Sequence, residues 1–158
     1  MSHTTKETPD GDITHLYPPF RAKVEAALAE ATRESAGKFP GFSHWGLFEG
    51  LRTQARQTWL YAQGRTRPGP IVTKKQFPTY HGKGLAADCV WYDVHGNPRW
   101  DGPQALWEIY WHCAALQGLE VGGRWETFPD GPHVQPVPAD YLAWAQPCLT
   151  WLRANHLT

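Results

Sequence analysis

The run GLAADCVWYDV, residues 84–94, is the most constraining stretch of this 158-residue chain. It alternates well enough to predict a strand. A strand needs partners, and the chain offers FSHWGLFEG at 42–50, of weak strand character, and LEVGGRWETFPDGPHVQPV at 119–137, which reads as a short strand, a loop and another short strand. Helical patterns surround them. From Pro18, PPFRAKVEAALAEATRESAG puts Phe20, Val24, Leu28 and Ala31 on one stripe, with prolines at its start and Gly37 as its stop. TQARQTWLYAQG follows, with Thr53 as its cap and Gly64 at its end. A third helix, DGPQALWEIYWHCAALQG, has Pro103 in its first turn and Gly118 at its close. PADYLAWAQPCLTWLRANH is helical, with a break or kink expected near Pro147. Residues 1–16 read as a flexible tail and 17–158 as a single domain. Helices first, then strands with a helix between them, predict an α+β fold: a small, mostly antiparallel sheet with packed helices.

Bulk properties exclude several functions. Lysine plus arginine and aspartate plus glutamate balance at fifteen each, so the electrostatic footprint of a nucleic-acid binder is missing. No apolar run approaches spanning length, and no basic amphipathic helix suggests membrane docking. The opening MSHTTKETPDGDITHLYPPF has no apolar core of a secretory signal, so synthesis in the cytoplasm is expected. Cys89, Cys113 and Cys148 are odd in number and form no CxxC pair, which predicts small buried apolar residues rather than disulfides or a metal cage. Nine tryptophans suit core and rim packing, or the lining of a groove, where Trp125 is a candidate.

The strand begins with chemistry. His81 and Asp88 stand seven residues apart, with Gly82 and Gly84 allowing a tight path between them. Both are suitable zinc donors, and a catalytic zinc needs three protein ligands and one open position. Farther on, GGRWETFPDGPHVQ places Asp130 three residues before His133, across Gly131 and Pro132. His133 can be the third ligand. Asp130 then sits near a metal without binding it, where a general base must stand. The same segment also reads as an aspartate turn before an edge strand. His3, His15 and His156 read as solvated, His44 and His112 as packing or surface, and His95 as a turn residue.

Together the segments match a pattern. Thr79 to Asp88 fits S/T-x-H-x-x-G-x-A-x-D, and DGPH fits D/E-x-x-H. The chain resembles the zinc D-alanyl-D-alanine carboxypeptidase and L-alanyl-D-glutamate endopeptidase family, the VanY-like peptidases of bacterial cell walls. EGLRTQARQTWLYAQGRTRPG resembles the family's upstream segment, so the resemblance runs from about Phe48 to Gln135. It implies a fold related to the hedgehog signalling domain. It implies His81, Asp88 and His133 as ligands of one Zn2+ per chain, Asp130 as general base, and Arg52 facing the substrate carbonyl. Thr79 replaces the family's common serine as a substrate-side hydroxyl, and Gln57 and Arg65 match further motif positions. The aspartate of D-x-P-H resembles the phage-endolysin branch, which implies hydrolysis of the L-alanyl-D-glutamate bond of the peptidoglycan stem peptide after holin-type release. A monomer without nucleic-acid or stable membrane association is expected. D-alanyl-D-alanine carboxypeptidase activity at the same site, and a non-catalytic zinc-containing wall-binding module, are the alternatives.

Overall fold

The computed structural model describes residues 6–158; residues 1–5 of the expected tail, and His3 with them, lie outside the described residues. The elements are α1 (Pro18–Ser35), β1 (Phe42–Glu49), α2 (Gln54–Ala62), β2 (Ala87–Asp93), β3 (Pro98–Arg99), α3 (Gln104–Leu116), β4 (Leu119–Val121), β5 (His133–Pro136) and α4 (Pro138–Ala154). The sheet runs β1-β2-β5-β4, with β3 also paired to β2, and every pairing is antiparallel. The α+β architecture expected from the sequence is therefore observed. The alternating run becomes β2, inside the sheet, with β1 and β5 as its neighbours.

The helical stripe is buried as its spacing requires. Phe20, Val24, Ala27, Leu28 and Ala31 of α1 face inward, against α3 and β1. Trp45 of β1 fills the space between the layers. Its ring stacks on Tyr110 at 4.8 Å and meets the edge of Trp107 at 5.0 Å, and its indole N–H donates to Ser35 Oγ at 3.2 Å. A buried indole needs such an acceptor, and α1 supplies it. The three cysteines are free and buried. Burial pushes the Cys89 thiol up to about 12 and Cys113 to about 11, which keeps both in the unreactive thiol form.

Two features depart from the sequence expectation. The second half of the expected tail is packed. Leu16 is completely buried, Asp10 is nearly so, and Asp12 caps a 3-10 turn at Ile13–His15. Apolar Ile13 and Leu16 recur at the spacing of that turn, so ordering them buries surface that a free tail would expose. The last helix, moreover, is continuous through Pro147, so of the expected break or kink the break does not occur. Proline removes one backbone donor there, while Tyr141 and Trp144 before it pack against the core and Cys148 and Leu152 after it are buried, which holds the helix on both sides of that gap.

Gly84 joins the N-terminal segment to the site. It closes the turn that carries His81, with φ at 68°, and its carbonyl accepts Tyr17 N–H at 3.0 Å. A Cβ there would meet His15 O at 3.2 Å and Tyr17 N at 3.3 Å. Glycine answers both the left-handed backbone and the close approach.

Candidate metal centre

The sheet register assembles the centre. Asp88, the second residue of β2, is cross-strand partner to Glu49 of β1 on one side and to His133 of β5 on the other. Paired residues of neighbouring strands project from the same face, so three polar side chains form a row across the sheet. His81 arrives from the loop before β2. Its 3-10 turn is held by Thr79, whose hydroxyl accepts Gly82 N–H at 3.1 Å, and by Arg52 N–H, which donates to His81 O at 3.0 Å.

His81, Asp88 and His133 bring their ligand atoms within 4.8 Å of one another. His81 Nε2 lies 3.4 Å from Asp88 Oδ2, and His133 Nδ1 lies 3.2 Å from Asp88 Oδ1. Zinc bonds of about 2.0–2.1 Å at tetrahedral angles set neighbouring ligand atoms about 3.3 Å apart. The structure places each expected ligand in this group.

The remaining ring nitrogens define the protonation of each histidine. His81 Nδ1 is 2.7 Å from the carbonyl of Gly50, an acceptor only, so Nδ1 carries the proton and Nε2 presents a lone pair. His133 Nε2 is 2.7 Å from Gln135 Oε1, and Gln135 Nε2 donates onward to Glu120 Oε2. That second bond orients the amide. Its oxygen therefore faces the ring and Nε2 carries a proton, so Nδ1 is the nitrogen that faces Asp88, with its lone pair when the ring is neutral. Two lone pairs aimed at a carboxylate repel unless a cation stands among them. Donor set, tautomers and separations all fit a divalent metal.

Electrostatics agree at His81 and Asp88. Burial holds His81 below its ordinary value, in the neutral form a ligand requires. Burial alone would raise Asp88, but His81 and His133 beside it win and hold the carboxyl well below its usual range. Burial opposes charge on His133, yet Asp88 and Asp130 outweigh it and raise that ring, so without a cation the carboxylates favour its protonated form, and a metal has to displace that proton.

Asp130 stands next to this group but outside it, with Oδ2 4.0 Å from His133 Nδ1 and its side chain 37% exposed. Burial, then repulsion from Asp88, push its carboxyl up to about 6. The turn beneath it is fixed at several points. Trp111 Nε1 donates to Gly131 O at 2.8 Å, Tyr110 Oη to Pro132 O at 2.7 Å, and Asp130 N–H to Gly122 O at 2.9 Å. A Cβ on Gly122 would stand 2.6 Å from Asp130 O, so only glycine admits the turn. Two aromatics of α3 thus hold the candidate base in place, a task that the tryptophan count alone does not reveal.

Arg52 is buried beside Asp88. Nη1 donates to Gln57 at 2.9 Å, and Nη2 donates to Glu49 at 2.8 Å and Asp88 at 3.2 Å. Its Nε is buried and has no partner. Gln57 is completely buried and also donates to Lys75 O at 2.6 Å, which makes it a tie between Arg52 and the loop. Arg65 is different: it lies over the Tyr61 ring at 3.8 Å, on the surface and outside the groove.

These groups open into a groove of about 610 Å³, lined by Arg52, Thr79, Tyr80, Lys83, Trp125, Tyr141 and the three ligand candidates among others. Trp125 borders it, its ring 5.2 Å from that of His133. His44 stacks on Tyr92, far from the group in the sheet register, at the opposite end of β1 from Glu49.

No protein-family model matches the chain. It is 36% identical over 131 residues to the peptidoglycan L-alanyl-D-glutamate endopeptidase CwlK of Bacillus subtilis (strain 168), across 78% of this chain and 74% of that protein. The crystal structure of the L-Ala D-Glu endopeptidase ChiX of Serratia marcescens superposes with a TM-score of 0.59 at 24% identity, over 82% of this chain and 86% of the other, and so shares the fold. The motifs, the fold and the extent of identity to CwlK lead to one conclusion: the chain belongs to the zinc D-alanyl-D-alanine carboxypeptidase and L-alanyl-D-glutamate endopeptidase family.

Proposed function

We propose that this protein is a zinc-dependent peptidoglycan peptidase that hydrolyses the L-alanyl-D-glutamate bond of the stem peptide. One observation carries the reading: three ligand candidates converge in a groove, and a carboxylate with raised proton affinity stands beside them without joining them. A closed structural site has no use for that fourth group. The bond specificity is supported by the 36% identity to a protein named for that activity.

In this reading His81, Asp88 and His133 hold one Zn2+ per chain, which when bound acidifies water and polarises a carbonyl. Asp130 takes the proton of the attacking water. It stands beside the ligands without joining them, 4.0 Å from His133 Nδ1, where a base can reach water held at the site. It returns that proton to the leaving amine. Arg52 lines the groove and brings a permanent positive charge to its wall, which suits an oxygen gaining negative charge. Thr79 accepts a hydrogen bond from Gly82, so its own proton is free for substrate.

The test joins metal to chemistry. Purified protein is assayed for bound metal and incubated with isolated cell walls, with and without chelator, and released peptides are identified by mass spectrometry. About one zinc per chain and chelator-sensitive new amino termini at D-glutamate are expected. Release of terminal D-alanine instead would assign the carboxypeptidase activity, and zinc without cleavage would assign a binding module.

A further inference from the structure

Lys83 occupies an unusual setting. It sits two residues after His81 on the same 3-10 turn, half-buried, and lines the same groove. Its ammonium donates to the hydroxyl of Tyr141 and lies 5.0 Å from the centre of that ring. Among the described residues no carboxylate pairs with it, although the groove also contains Asp88, Glu120 and Asp130. Each of those acids has other engagements: Asp88 with Arg52 and the histidines, Glu120 with Gln135, and Asp130 facing His133.

Donors outnumber acceptors at this wall. Lysine is donor only, so Tyr141 Oη is the acceptor in their bond and its own proton is free. The ammonium keeps two more. Tyr80 stacks on Tyr141, with ring centroids 4.2 Å apart and planes 6° from parallel, and its hydroxyl makes no hydrogen bond among the described residues. The stacked rings narrow the wall and limit the lysine's freedom, which lowers the entropy lost when an anion arrives.

We infer that Lys83 and Tyr141 form a carboxylate-binding subsite that selects the anionic stem peptide. This rests on the proposed peptidase function. A stem peptide cut between L-alanine and γ-linked D-glutamate offers two sources of that chemistry beyond the scissile amide. One is the free α-carboxylate of the glutamate. The other is the side-chain carboxylate of diaminopimelate, where that residue stands third. A charge-assisted pair in a half-buried groove also explains why this lysine is held by a neutral phenol: an acid in that place would compete with substrate.

Synthetic L-alanyl-γ-D-glutamyl peptides test it in three forms: with diaminopimelate third, with lysine third, and with the glutamate α-carboxylate amidated. Cleavage is measured for wild type, Lys83→Met, Lys83→Arg and Tyr141→Phe, and binding is measured by calorimetry in an Asp130→Asn background. Lys83→Met should raise KM and weaken binding about tenfold to hundredfold on the peptide bearing the recognised carboxylate, and leave kcat within about twofold. It should bind the peptide lacking that carboxylate as wild type does, and Lys83→Arg should recover most of the loss. The peptide whose neutralisation abolishes the effect of the variant identifies the source. Equal loss on all three peptides, or no loss on any, would overturn the subsite. Absence of cleavage by wild type, with carboxylate-dependent binding still sensitive to Lys83, would overturn the peptidase reading and leave the subsite standing.

Discussion

His133 Nε2 lies 2.7 Å from Oε1 of Gln135, two residues along the same strand, and this contact determines which nitrogen of His133 faces Asp88. The amide is itself oriented by Glu120, its cross-strand partner in β4. The chain Glu120–Gln135–His133 therefore fixes a tautomer, and a ligand's tautomer governs its affinity for metal. Gln135→Leu should weaken zinc binding by about 10- to 100-fold in chelator competition, while far-UV dichroism stays unchanged. Gln135→Glu should recover much of it, since a carboxylate also accepts from Nε2. Unaltered zinc affinity in Gln135→Leu would show the relay to be incidental.

Asp130 is expected to separate metal binding from turnover. It stands 4.0 Å from His133 and is not one of the three converging ligands. Asp130→Asn should retain zinc within about twofold and lose about 10²- to 10⁴-fold in kcat, the range for removing a positioned acid–base group. Single-turnover assays with zinc quantified in the same samples measure both. Retained turnover would remove Asp130 from the mechanism.

The ligands were legible in the sequence because each lies in a short motif whose glycines and spacing declare a tight path. The α1 stripe was legible because its period is local. What the sequence did not disclose depends on register. Glu120 and Gln135 are fifteen residues apart and meet only because β4 and β5 pair as they do. Arg52, by contrast, was visible as a motif position, but its shared contacts with Glu49 and Asp88 follow from the β1–β2 pairing. Leu16 and Ile13 stand in a mostly polar stretch that gives no long periodic pattern. The burial of Leu16 follows from contact with Gly50 and the loop at Gly84, neither of which is near it in sequence.

Metal removal should cost stability as well as activity. Chelation leaves two imidazole lone pairs directed at Asp88, and those groups then repel or must take up protons. Zinc at about 100 times its Kd should stabilise the fold by about 2.7 kcal/mol, seen as a rise in melting temperature that depends on zinc concentration. The rise should vanish in His81→Ala. A melting temperature indifferent to zinc would contradict the site.

Glu49 is where acid should act on the fold. Its carboxylate is 4% exposed and bridges two guanidinium groups, Arg52 at 2.8 Å and Arg56 at 2.7 Å. Burial alone would raise it, yet the two arginines win and lower it below its ordinary 4.5. A depressed folded value means that the stabilisation is fully present above 4.5 and is lost as pH falls through the lower, folded value. Glu49→Gln leaves both guanidinium groups buried without their shared counter-charge, which should cost about 3–5 kcal/mol at neutral pH. Urea denaturation of wild type and variant from about pH 7 down to about pH 3 measures the difference directly, and it should shrink below the unfolded value as wild-type Glu49 takes up its proton. A difference that stays constant across that window would mean that Glu49 acts through shape rather than charge. Because Arg52 also touches Asp88, the variant should bind zinc less tightly even where it remains folded.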